Sequence, residues 1–253
     1  MNLLFITPSY KPAYIYGGPT ISVSELAETL VLQGHSVTVY TTTANGKEEL
    51  DLTPNTPTDV NGVVVYYFKR QTGDHTHVSF LLWNMLWRNV KHFDVVHLQS
   101  WWSLLIFGAA FVCRIKRKPY VVSPRGMLSR YSFTHQHGSM KKILHQICGK
   151  RLLKKSILHA TTSLELRDCR AVLPAWNGFV LPNLVRFPIN GASNSRFRIK
   201  GEGSLTLGFL SRIDQKKGLE LLFEALSGIN TDFTLRIAGT GSDEYIGYLR
   251  DLA

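Results

Sequence analysis

Short segments of this chain carry residue types suited to holding a phosphorylated small molecule. Gly17-Gly18 follows an apolar run and opens a helical pattern. Glycine lets backbone approach a ligand with no Cβ between them, and the amides at a helix N-terminus attract phosphate. A lone Gly-Gly is more often an ordinary turn, and its place after the first strand brings the phosphate reading level. Ser123-Pro124-Arg125-Gly126-Met127 closes another apolar run. An arginine framed by proline and glycine at a strand's carboxyl end suits an anion held by two parallel hydrogen bonds. The plainer alternative is a solvated surface arginine.

Ser211-Arg212-Ile213-Asp214-Gln215-Lys216-Lys217-Gly218 has the same placement between strand and helix. Arg212 and Lys217 bracket a loop where two cations could hold a diphosphate and offset the charge that builds on a leaving phosphate. A solvated basic loop is the equal alternative. Ala238-Gly239-Thr240-Gly241-Ser242 is a second glycine turn, placed to lie near a nucleotide and weak by itself.

Other candidates carry less. His97, inside a strand, reads as a satisfied core histidine rather than a base. His135-x-His137 with His145 lacks a nearby carboxylate, which argues against a metal site. Lys141, Lys142, Lys150, Arg151, Lys154 and Lys155 surround Ile143, Leu144, Ile147 and Leu152, a pattern shared by membrane-surface helices and ordinary solvated ones. Trp83, Trp87, Trp101 and Trp102 read as core rather than interfacial residues.

The elements that must position these segments alternate in type. Strands are expected at Leu3–Thr7, Ser36–Thr41, Val63–Tyr67, Asp94–Leu98, Tyr120–Ser123, Ile157–Thr161 and Gly178–Leu181. Helices are expected around Ile21–Val31, with Gly34 as the stop, and at Ser79–His92, Trp102–Ile115, Met140–Leu153 and Leu164–Val172. Ala44–Gly62, rich in Thr, Pro, Asn and Gly, reads as a mobile loop. Repeated strand–helix units built on short Val, Ile and Leu runs predict a parallel sheet covered on both faces, with its active site outside the carboxyl ends of the strands. Composition shifts after Pro182. A linker is expected over Asn183–Gly203, followed by Leu205–Leu210, Gly218–Ser227, Phe233–Ala238 and Ser242–Leu252 as strand, helix, strand, helix. The expected organisation is 1–182, a linker 183–203, and 204–253 as an incomplete second domain of the same type.

The chain has 253 residues, 44% of them apolar, enough for a packed core. Lys plus Arg number 29 against 18 Asp plus Glu, a net charge of +11 that favours anionic partners. No helix-turn-helix, zinc-finger or RNP pattern accompanies that charge, so nucleic acid is disfavoured. Three cysteines without CxxC spacing exclude a disulfide framework and suit a reducing cytosol. The first residues lack the basic segment of a signal peptide, and Trp101–Cys113 is short of the roughly 20 residues of a spanning helix. The chain reads as cytoplasmic.

Phe5 to Val39 (FITPSYKPAYIYGGPTISVSELAETLVLQGHSVTV) resembles the amino-terminal signature of the GT-B glycosyltransferases of family 4, also called group 1 glycosyltransferases. Asp94-Val-Val-His-Leu98, Ser123-Pro-Arg-Gly-Met-Leu128 and Leu181-Pro-Asn183 match later landmarks in order. Gly208 to Leu219 resembles the start of the carboxyl-terminal domain, and Leu235-Arg-Ile-Ala-Gly239 its second strand. The resemblance implies two Rossmann-like domains facing across a cleft, the first for a carbohydrate or lipid-linked acceptor and the second for a nucleotide-sugar. Gly17, Gly18 and Gly239 would then be donor-binding. Arg212 and Lys217 would stabilise the departing nucleoside diphosphate, and Arg125 stands where many members have a histidine near the reacting sugar.

The Ser-Pro-Arg-Gly-Met form resembles a bacterial branch that builds cell-surface polysaccharide or lipopolysaccharide, with retention, no catalytic metal and no cofactor, at the inner face of the membrane. The chain departs from the pattern at Asn183-Leu184-Val185, where the family reads Asn-Gly-Val-Asp. The resemblance puts the family's glutamate pair, seven residues apart and binding the donor, farther along the second domain than Ala253, so the chain is expected to be a fragment. These departures make a truncated remnant, binding an acceptor or an anionic membrane without catalysis, the alternative expectation.

Overall fold

The computed structural model describes residues 1–129, 145–185 and 205–252. His135, His137, the first part of the basic helix expected over 140–153 and most of the linker expected over 183–203 lie outside the described residues. The chain divides into two compact units, Met1–Phe187 and Pro188–Ala253.

In the first unit β1 (Asn2–Ile6) leads through a short 3-10 turn to α1 (Gly18–Leu32) and β2 (Ser36–Thr42). The two-residue strands β3 (Ala44–Asn45) and β4 (Glu48–Glu49) form a small hairpin, followed by β5 (Pro57–Val60) and β6 (Val63–Phe68). Then come α2 (Phe80–Asn89), β7 (Val95–Gln99), α3 (Leu104–Ile115) and β8 (Tyr120–Ser123). The short helix α4 (Lys150–Leu153), β9 (Ile157–Ala160), α5 (Ser163–Val172) and β10 (Gly178–Val180) complete it. The sheet order is β10-β9-β8-β7-β1-β2-β6-β5, with every neighbour parallel except β5 on β6 at the edge.

Residues alternate between the two faces of a strand, so each strand feeds two cores. From β1, Leu4 and Ile6 join Leu82, Leu86, Val96, Leu98, Leu105 and Trp101 on the α2–α3 side. Phe5 joins Val23, Leu26, Ala27, Val37, Val39 and Val65 under α1. The chain builds outward from β1 to β2 and β6, then returns to lay β7 on the other flank of β1. That reversal is a topological switch point, where the loops leaving β1 and β7 part to opposite faces and open a crevice at their carboxyl ends.

Three expectations need correction. Segment 44–62 is not a featureless loop, since it holds β3, β4 and β5. Its anchor is Arg70, whose buried guanidinium donates from Nε to Glu49 Oε1 at 2.5 Å and from Nη2 to the Gly46 and Glu48 carbonyls at 3.0 Å. Local composition cannot show a cation arriving from 21 residues away. The turn into β6 uses Asn61 and Gly62, both at positive φ, the conformation that twists with a hairpin. The described part of the basic helix is a π-helical turn, His145–Gly149, running into α4 rather than one continuous α-helix. Finally, Trp87 is not core; it is 43% exposed.

The second unit pairs β11 (Leu205–Leu210) with β12 (Phe233–Ala238) in parallel, with α6 (Leu219–Ser227) and α7 (Asp243–Leu252) following them. Its buried apolar residues are Leu219, Leu226, Tyr245 and Leu249 among those described.

Candidate functional site

The crevice of the first unit is built by the ends of β1, β7 and β8. After β1, Thr7 Oγ1 donates to the Ser9 carbonyl at 2.9 Å, and the Ser9 hydroxyl bonds Thr20 Oγ1 at 3.1 Å, fastening the loop to the first turn of α1. Gly17 has φ 66°, which favours glycine, and α1 begins at the next residue. A Cβ added at Gly17 or Gly18 would meet nothing within 4 Å. The space before this helix N-terminus is open to a ligand.

Arg125 reaches the same helix from the far side of the crevice. Its Nη1 donates to Ser22 Oγ at 2.8 Å and to Asn183 Oδ1 at 2.7 Å, and its Nε donates to Gln99 Oε1 at 2.9 Å. All three acceptors are neutral. Among the described residues no carboxylate ion-pairs with Arg125, and its Nη2 has no hydrogen-bond partner. Burial, opposed by Glu165, lowers its pKa to about 10, so the cation persists at neutral pH. Beside it, Gln99 Nε2 is buried with no partner. A half-buried cation whose hydrogen-bond partners are dipoles, next to an unused amide donor, is an anion site in waiting.

The backbone carrying Arg125 is itself held. Arg125 and Gly126 are both at positive φ, and Gly126 N donates to Glu165 Oε1 at 2.6 Å. The other oxygen of Glu165 accepts from Thr161 N and Oγ1, both at 2.7 Å. Glu165 sits three residues after the α5 N-cap Thr162, whose hydroxyl accepts from Glu165 N at 3.1 Å.

Under the crevice runs a chain of polar groups centred on the buried Ser123 and His159. The Leu181 carbonyl can only accept, so His159 Nε2 carries the proton that bridges them at 2.9 Å. His159 Nδ1 is then an acceptor for the Ser123 hydroxyl at 2.7 Å, and Ser123 Oγ accepts from His97 Nε2 at 2.9 Å. Burial is the first cause that lowers both histidine pKa values, with Arg125 nearby adding to it, which matches neutral rings. His97 is thus a satisfied core histidine. It fixes the strand ends under Arg125.

In the second unit the two glycine-bearing loops pack on each other. Ile213 N donates to the Thr240 carbonyl at 2.8 Å, and Ile213 bridges Gly241. A Cβ at Gly239 would lie 1.7 Å from the Ser211 carbonyl oxygen, and one at Gly241 2.2 Å from that of Ile213. These glycines are demanded by the close approach of two backbones. The loops bound a cavity of about 760 Å³ lined by Arg212, Asp214, Gln215, Thr240, Ser242 and Tyr245 among others. Arg212 has no ion-pair partner among the described residues. Lys217 closes the 3-10 turn Gln215–Lys217 and is not among the lining residues; Gly218, at φ 66°, starts α6.

Of the residues singled out in the sequence, Gly17, Gly18 and Arg125 come together in the first unit, while Arg212, Lys217 and Gly239 belong to the second. Gln99, Glu165, His159, Ser22 and Asn183 were missed as partners. The spacing Thr162-x-x-Glu165 is a capping-box signal that could have found one of them.

A sequence profile described as Glycosyltransferase Family 4 matches residues 16–185. The chain belongs to that family. The matched stretch contains Gly17, Gly18, Gln99, Arg125, His159 and Glu165. This family 4 chain is 26% identical to an uncharacterized glycosyltransferase of Methanocaldococcus jannaschii, over all of its own length and 66% of that protein. It superposes on sucrose-phosphate synthase of Thermosynechococcus elongatus with a TM-score of 0.65 at 15% identity, covering 100% of this chain and 68% of that one. HepE of Anabaena in complex with UDP-glucose gives 0.63 at 18% identity, with 100% and 65% covered. The family 4 chain thus has the α/β GT-B fold, and it spans about two thirds of the length of these proteins. No helix among its described residues is long and apolar enough to cross a membrane.

Proposed function

We propose that this chain is the acceptor-side domain and the first donor-side elements of a glycosyltransferase that moves a sugar from a nucleotide-sugar to a carbohydrate or lipid-linked acceptor. The observation that carries the reading is Arg125, a half-buried cation whose hydrogen-bond partners are all neutral, at the mouth of a glycine-led helix. Transfer breaks the bond between the sugar and the diphosphate, and the electron pair leaves on a phosphate oxygen. Cations and helix N-termini already in place stabilise that charge without reorganising. Gly17 and Gly18 let the donor's phosphates approach α1, Arg125 orients an anionic or polar group beside the reacting sugar, and Arg212 with Lys217 meets the leaving group. Gly239 shapes the loop beside Arg212. The reaction proceeds with retention and without a catalytic metal, and the Ser-Pro-Arg-Gly-Met segment favours cell-surface polysaccharide or lipopolysaccharide synthesis.

Among proteins of this fold, HepE is described in complex with UDP and UDP-glucose, and a trehalose-6-phosphate protein of Escherichia coli with UDP-2-fluoro glucose. Uridine diphosphate is therefore the first ligand to try. Calorimetric titration of UDP into the chain, with chelator present, should give saturable binding that Arg212→Ala weakens at least about tenfold, the worth of one charge-assisted hydrogen bond. If neither UDP nor any other nucleoside diphosphate binds, the reading fails.

A further inference from the structure

The outer face of α2 and α3 is apolar where a solvated helix pair is polar. Leu82, Leu86, Leu105, Ala109 and Val112 already fill the core side. Phe80, Leu81, Trp87, Leu104, Phe111 and Ile115 nonetheless stand in solvent, between 43% and 63% exposed. The two helices lie locked together. The Trp83 ring covers Gly108 so closely that a Cβ there would sit 2.3 Å from it, and Trp83 Nε1 donates to the Leu105 carbonyl at 2.9 Å. Phe80 and Trp87 are one turn from Trp83, and Leu104 and Phe111 one turn from Gly108, so they flank this contact on both helices.

Charge decides what would cover such a face. Between Phe80 and Lys118 there are six Lys or Arg residues and one acid, Asp94, whose carboxylate accepts from Asn2 N at 2.7 Å. Arg88, Lys91, Arg114 and Arg117 are exposed at or just past the carboxyl ends of the two helices. Lys116 lays its ammonium 3.8 Å from the centre of the Trp87 ring. A second copy of the chain would set these cations against themselves. An anionic bilayer would accept the aromatic rings at its headgroup level and the guanidinium groups on its phosphates.

We propose that the α2–α3 face docks this chain on an anionic lipid bilayer, with Trp87 and Phe111 in the headgroup region and Arg88, Lys91, Arg114 and Arg117 on lipid phosphates. This surface is separate from the Arg125 crevice and does not depend on the transfer reading.

Co-sedimentation of the chain with phosphatidylcholine vesicles, with and without phosphatidylglycerol, tests it. Binding should require the anionic lipid and fall with salt. Arg114→Gln with Arg117→Gln should lower partitioning roughly thirtyfold, at about fivefold per lost charge. Phe111→Ser should lower it about tenfold, as expected for one aromatic side chain withdrawn from the interface. UDP titration and thermal melting of the same variants should match the parent. Should a variant melt early, quenching of the parent's tryptophan emission by brominated lipid replaces it. Equal binding to neutral vesicles, undiminished binding by both variants, absent quenching, or a parent dimer that Phe111→Ser splits would each overturn the proposal.

Discussion

Replacing Arg125 by methionine separates a ligand-binding cation from a structural pin, because two effects of similar size oppose each other in the free protein. Burial holds Arg125 at about 10 against an ordinary 12.5. At 1.36 kcal/mol for each pH unit of that gap, the folded state bears roughly 3 kcal/mol for keeping the cation. Methionine removes that cost and keeps most of the stem in contact. Against it stand the partners left behind. Gln99 is 1% exposed and would lose the bond to Oε1 while Nε2 already lacks one, a penalty of about 1–3 kcal/mol. Ser22 keeps its bond to the Pro19 carbonyl, and Asn183 is exposed and turns to water.

The terms nearly cancel, so Arg125→Met should shift stability by no more than about 1–2 kcal/mol in either direction. Anion binding should fall by about ten- to hundredfold, the value of a charge-assisted bond in a desolvated site. Arg125→Lys should recover only part of it, since an ammonium lacks the planar fork that reaches Ser22 and Gln99 together. Thermal denaturation and titration with inorganic phosphate or UDP read both quantities on one sample. A large loss of stability with unchanged binding would show that Arg125 is a pin, and the anion argument would be wrong.

Acid should weaken the first unit early. His77 is buried, and burial with help from Arg70 lowers its pKa to about 4, so between pH 6.5 and about 4 the unfolded chain takes up a proton that the folded one refuses. Stability therefore falls as pH drops through that window by roughly 3 kcal/mol from His77 alone, with His97 and His159 adding in the same direction. His77→Asn, which tolerates the φ of 49°, should flatten the melting curve against pH; an unchanged slope would exonerate His77. Gly239→Ala forces the loops of the second unit apart and should cost about 3 kcal/mol or more, seen as lost amide protection in 205–252 with the first unit unaffected. Equal protection in parent and variant would mean the loops yield at no cost.

Much of the architecture is legible in local runs. Tyr120–Ser123, Leu205–Leu210 and Phe233–Ala238 are strands as expected, because each is a short apolar or β-branched run bounded by breakers. The sheet's parallel character follows from the intervening helices. The order of strands does not, since only the return of β7 to the flank of β1 places the crevice. The site divides in the same way. Arg125 is conspicuous in its Pro–Gly frame, whereas its acceptors lie 26, 58 and 103 residues away and nothing in the sequence pairs them with it. Gly239 illustrates the converse: its type is legible, but the approach of Ser211 that requires it is a fact of packing.

The run from His97 through Ser123 and His159 to the Leu181 carbonyl has a direction, every proton pointing toward the chain's exit from the sheet. A polarised row of this kind has no half-formed state, because turning one hydroxyl leaves two lone pairs or two hydrogens face to face. Three strands and the segment leaving β10 are thereby aligned by a single yes-or-no arrangement, and the imidazole nitrogens that carry it would announce its loss in their tautomers before the sheet itself came apart.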